Sequence, residues 1–154
     1  MVSFQNAVGL GFQHYFDFKG RSTRSEYWWW LLFVVLAGIA LTIVDMGIGT
    51  FNYESGDGLL SGLFKLATLI PGLALGARRL HDINKSAWWL LMWLSFLLII
   101  PMIVLLVMGM WLSFLLIIPM IIPMIIPVIV LLVWAARQGD NETNRYGPDP
   151  RGQP

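Results

Sequence analysis

At 154 residues and a net charge of +1, the chain is long enough for one domain and has no field of either sign to recruit nucleic acid. It contains no cysteine, which excludes disulfides, thiolate catalysis, iron–sulfur ligation and cysteine-held zinc. Hydrophobic residues make up 57 % and charged residues 12 %, against about 45–50 % and about 25 % in a soluble globular domain. That balance points to an all-α integral membrane protein.

Residues 2–16 place Phe4, Ala7, Val8, Gly11, Phe12 and Tyr15 at spacings of three and four, which suits a short helix lying in the membrane interface. Gly9 and Gly11 weaken it, and a loosely ordered tail is the plainer alternative. No long apolar run occurs in the first 26 residues. Lys19, Arg21 and Arg24 stand directly before one that continues, so the first apolar segment reads as a retained anchor rather than a cleaved signal.

Thr23 and Glu26 have the spacing of a capping box, which predicts a helix starting at Arg24. From Tyr27 to Gly47 the chain is apolar except for Thr42 and Asp45, about 31 Å of helix at 1.5 Å per residue, enough for one membrane crossing. An aromatic belt, Tyr27–Trp30, marks its entry. A polar turn with acids but no Lys or Arg follows at Gly49–Gly58, then a second span at Leu59–Ala77, interrupted by Lys65 and Pro71. Basic clusters before the first span and after the second (Arg78, Arg79, Lys85) place both segments in the cytoplasm and the acidic turn outside.

Ala87–Ala136 carries no charge at all, too long for one span and about right for two. Tryptophans at the interfaces divide it into spans at about 88–108 and 111–134, closed by Arg137 and a polar, turn-rich tail, 137–154, that reads as solvated. Four spans therefore make one membrane domain, 1–136. Within it, "MWLSFLLIIPMI" occurs at Met92–Ile103 and again at Met110–Ile121, and "IVLLV" recurs 26 residues on. Lipid-facing Leu, Ile and Met are nearly interchangeable, so so close an internal duplication points to a recent copying event or an assembly error in the gene, not to a solenoid. Without those 26 residues, three spans remain. Pro119, Pro123 and Pro127, four apart, each free a carbonyl in the fourth span and predict a bend there.

"YFDFKGRSTRSEYW", "LIPGLALGARRLHDINKSAWWLL" and "NRYGPDP" together resemble a family of small bacterial inner-membrane proteins known as domain of unknown function 805. The resemblance covers residues 10–91 and the tail and departs where the duplication lies. It implies an integral inner-membrane protein with no established activity, and offers no catalytic or ligand-binding residue to carry over.

The strongest candidate site is the cluster Arg78, Arg79, His81, Asp82 and Lys85, joined from the same side by Arg21 and Arg24. On a continuing helix, Asp82 lies four residues from Arg78 and three from Arg79, so one carboxylate could hold both guanidiniums toward a phosphate head group or an acidic partner. A topology anchor at a helix end is the simpler reading. Asp45 and Lys65, near the outer ends of the first two spans, form a candidate ion pair locking that hairpin, and Gly72 and Gly76 a GxxxG step for helix packing. The two histidines, His14 and His81, have no partners at metal spacing, and no phosphate loop or nucleophile elbow appears. The expectation is a non-enzymatic protein without metal or cofactor, in contact with the lipid bilayer, and with anionic head groups or another membrane protein as partner. It acts as an interaction or envelope-structural component with a basic cytoplasmic face; the alternative is a small transporter or lipid-handling protein. The sequence leaves the oligomeric state open.

Overall fold

The computed structural model describes residues 2–90 and 125–151. Both copies of the twelve-residue repeat, Pro119 and Pro123 lie outside these residues, as do most of the expected third and fourth spans. The described residues are helical, with no strands beyond two isolated bridges, Asn52 with Asp57 and Asn144 with Gly147.

Helix α1 (Phe4–Gln13) starts at Ser3, whose hydroxyl accepts from the Asn6 N–H. Helix α1 packs along helix α2 (Arg24–Ile48): Phe4 meets Trp29 and Phe12 meets Trp30 edge-on, with ring centroids 5.8 and 5.1 Å apart. Gly11 permits the approach, because a Cβ there would overlap the Trp30 ring.

The start of α2 is set by the expected capping box. The Glu26 N–H donates to Thr23 Oγ1 and the Thr23 N–H to Glu26 Oε2, both at 3.3 Å. Its end is set by Gly49 in the left-handed region, φ 76°. Along its 25 residues only Glu26, Trp30 and Asp45 are buried, while Leu36, Ile39 and Ile43 are more than half exposed. Among the described residues Arg21, Ser22, Ser61, Arg78, Arg79 and Asp82 are buried as well, beside small and aliphatic residues such as Ala74 and Leu75. Polar groups inside and aliphatic groups outside are stable where the surroundings are hydrocarbon. Helix α2 and helix α3 (Leu59–Asp82) are each long and apolar enough to cross a membrane, and they pack as an antiparallel hairpin.

Asp45 and Lys65 do not pair with each other. The Asp45 carboxylate is fully buried and accepts from the Leu60 and Ser61 N–H groups at 3.0 and 2.8 Å and from the Thr50 hydroxyl at 2.6 Å. It caps α3 from the neighbouring helix, in place of the side chain that Gly58, the residue before α3, lacks. A Cβ on Gly58 would overlap that carboxylate. Lys65, nearly two turns into α3, reaches the loop carboxylate of Asp57 instead, in an exposed pair. Helix orphan donors outcompete a lysine for a buried acid, because leaving two buried N–H groups unmade is costly.

Pro71 lies inside α3 and has no N–H to offer the Ala67 carbonyl one turn earlier. The Tyr15 hydroxyl donates to that carbonyl at 2.6 Å. The Tyr15→Phe variant is expected to lose about 1 kcal/mol. In a Pro71→Ala background, where the helix supplies its own donor, the same change should cost little. A double-mutant cycle by denaturant titration in detergent measures the difference. Gly72 faces the Trp30 indole and Gly76 faces Leu90, each with room for a methyl group at van der Waals distance.

Candidate functional site

At the end of the hairpin where α2 begins and α3 finishes, the chain brings together three segments distant in sequence: residues 19–26, the end of α3, and the tail after the helix Ile125–Ala136. Ser22 joins the first two, its N–H donating to the Arg78 carbonyl at 3.2 Å.

Asp82 is the centre. Arg21 approaches Oδ1 side-on through Nε and Nη2 at 3.0 and 2.8 Å, and Arg79 approaches Oδ2 through Nη1 at 2.5 Å. One carboxylate thus holds two guanidiniums, but they are Arg21 and Arg79; Arg78, four residues away on α3, turns instead toward Glu26, with Nη1 3.6 Å from Oε1. The side chains of Arg21 and Arg79 are 1 % exposed and that of Asp82 is 4 %. Two cations on one anion leave a buried excess of positive charge, and backbone carbonyls absorb it. Arg21 donates to the carbonyls of Asp140, Glu142 and Gly147; Arg79 donates to those of Trp134, Ala135 and Arg137. All of these acceptors belong to the last helix and the tail.

The tail is turn-rich and largely exposed, as expected, and it also folds against this centre. The Asp140 N–H donates to the Asp82 carbonyl at 2.9 Å, and Gly139 leaves space for the Asp82 carboxylate that any Cβ would fill. In "NRYG", the Asn144 amide donates to the His81 carbonyl at 3.0 Å and the Tyr146 ring stacks on the His81 imidazole, centroids 3.8 Å apart. The other side of that imidazole is held by its Nδ1, 3.1 Å from the Gly20 carbonyl. The Arg145 guanidinium lies 4.7 Å from the Tyr146 ring centroid and donates to the Asn84 carbonyl. Arg151 closes the turn: it donates to Asp149 at 2.8 Å, holding that carboxyl below its ordinary range, and to the carbonyls of Gly139 and Asp140.

Lys85 and Arg24 lie at the rim. Lys85 Nζ sits 5.4 Å from the Trp134 ring centroid, and Arg24 reaches the Ala136 carbonyl at 3.4 Å. The expected cluster therefore assembles, and it gains Asn144, Tyr146, Gly139 and Asp140, which charge spacing alone could not nominate. The repeated Gly, Pro and Asn of the tail mark tight turns, and tight turns were the only local sign that carbonyls would be presented together.

The chain matches, over residues 15–148, the family described as "Protein of unknown function (DUF805)". It belongs to the DUF805 family. It is similar to inner membrane protein YhaH of Escherichia coli K12, with 30 % identity over 92 % of this chain and 93 % of the relative, and to inner membrane protein YhaI of the same strain, with 33 % identity over 90 % of each. No solved structure matches it. The DUF805 match takes in Arg21, the end of α3 and the "NRYGP" turn, so all three segments of the Asp82 centre fall inside the family region.

Proposed function

We propose that this DUF805 chain is a non-catalytic, multi-pass component of the bacterial inner membrane, with its N-terminus cytoplasmic. In this reading the Asp82 centre is a clamp that ties both hairpin ends to the C-terminal tail, forming one cytoplasmic surface for interaction with lipid or another membrane protein. The observation that carries the reading is the saturation of Arg21 and Arg79 by protein acceptors. A guanidinium whose every nitrogen already donates is built to hold structure, and it has little left for a substrate. Four spans return the tail to the side it is clamped on, and the rim cations Arg24 and Lys85 give that side its basic character.

The absence of cysteine makes the test direct. Ser55→Cys, in the loop between α2 and α3, is expected to react with a membrane-impermeant maleimide in intact spheroplasts. Asn141→Cys, in the tail, should react only after permeabilisation. Labelling of Asn141→Cys from the outside would overturn the arrangement, since a tail on the far side cannot meet Asp82.

A further inference from the structure

Arg78 is the guanidinium the clamp does not use. It is 4 % exposed, its Nη1 lies 3.6 Å from Glu26, and its Nε and Nη2 have no hydrogen-bond partner among the described residues. Those two nitrogens are not scattered. They form the side-on edge of the guanidinium, a two-pronged donor that can give one hydrogen bond to each of two oxygens of a carboxylate or phosphate. Arg21, in the same cluster, uses the same edge, its Nε and Nη2 both donating to Oδ1 of Asp82. A buried cationic fork without an acceptor is among the costlier arrangements in a folded chain.

Arg78 lines a polar cavity of about 200 Å³ between the segment after α1 and the tail turn, walled also by His14, Asp17, Lys19, Tyr146 and Gly147. We propose that this cavity binds a phosphate group through the Nε–Nη2 edge of Arg78. The inference stands apart from the clamp, because it concerns the one arginine of the cluster that the clamp leaves unsatisfied.

Three observations favour phosphate. Glu26 cannot swing over as an internal acceptor without breaking the α2 capping box, to which its Oε2 is committed. The buried arginines Arg21, Arg78 and Arg79 share two buried carboxylates, Glu26 and Asp82, while Asp17 and Lys19 at the cavity wall offset each other, so one excess positive charge favours an anion. The cavity also sits at the end of two helices long enough to cross a membrane, beside Phe16 and Phe18, which are 73 % and 43 % exposed. Exposed aromatics next to buried cations mark the depth at which lipid phosphates lie. The shared chemistry is the phosphate group; its source is a phospholipid head group or free phosphate.

The test uses the full chain in nonionic detergent, titrated separately with phosphatidylglycerol and with inorganic phosphate, against sodium chloride at equal ionic strength. Thermal midpoint and native mass spectrometry report binding. Wild type is expected to show a saturable rise with at least one phosphate source. Response to phosphatidylglycerol alone assigns the site to lipid, whereas response to inorganic phosphate assigns it to a soluble ligand. Arg78→Lys keeps the charge but loses the fork, and should weaken binding by about tenfold or more. Lys19→Ala, at an exposed position, should weaken it less. Glu26→Gln removes the opposing charge and is expected to tighten binding, whereas a purely structural Arg78–Glu26 pair would lower the midpoint and leave affinity unchanged. Absence of a saturable response to either source, or affinity unchanged in Arg78→Lys, overturns the proposal.

Discussion

Asp82→Ala is expected to release the C-terminal tail and to destabilise the folded protein by about 3–5 kcal/mol, the range for removing one partner from a buried ion pair. The effect is large because the change strands two buried guanidiniums at once, Arg21 and Arg79. Limited proteolysis in detergent reads the first part: cleavage between Gln138 and Arg145 should rise relative to the wild type, in which the Asp140 N–H is tied to the Asp82 carbonyl. Denaturant titration reads the second. Adding Arg79→Leu to Asp82→Ala removes one stranded charge and should recover part of the loss. Arg21→Lys should behave like a deletion, since an ammonium cannot donate to Asp82 and three tail carbonyls in the directions a planar fork provides. A protected tail in Asp82→Ala would show that the carbonyl contacts alone suffice.

The second large effect is expected at the opposite end of the hairpin. Asp45→Ala deprives the Leu60 and Ser61 N–H groups and the Thr50 hydroxyl of their acceptor together. The loop from Gly49 to Gly58 should then detach from the start of α3, and its cleavage by protease in detergent solution should rise on the order of tenfold. Asp45→Asn keeps one acceptor oxygen and should fall between. Lys65→Ala is the discriminating control. It should change little, because the exposed Lys65–Asp57 pair contributes little; an effect of Lys65→Ala equal to that of Asp45→Ala would restore the idea of a hairpin held by an ion pair between those two residues.

The helices were legible in the sequence because their signals are local. A capping box fixes Arg24, a run of apolar residues of bilayer length carries α2, and Gly49 ends it. The meeting of Arg21 with Asp82 was half legible: charge spacing nominated the residues, but on one helix alone Arg78 and Arg79 looked equivalent partners. Both are buried, and Arg79 meets Asp82 while Arg78 meets Glu26, a carboxylate supplied by the other helix. The tail was least legible. Its contribution to the clamp is mostly backbone carbonyls, and every residue type carries one, so composition shows only polarity and turns. Asp45 misled for the opposite reason. Its charge was conspicuous, and the obvious complement was another charge, whereas the true partners were the unmarked N–H groups that every helix start exposes.

The clamp also sets an order of events during synthesis. The carbonyls that satisfy Arg21 lie 119 to 126 residues further along the chain. At about 5–20 residues per second, they leave the ribosome roughly 6–25 seconds after Arg21 does. For that interval α2 and α3 can pair, but the guanidiniums of Arg21 and Arg79 lack the carbonyls of the last helix and tail that surround them in the finished chain. A nascent chain that stalls before Gly147 therefore presents an open cluster of charge where the finished protein presents a closed one.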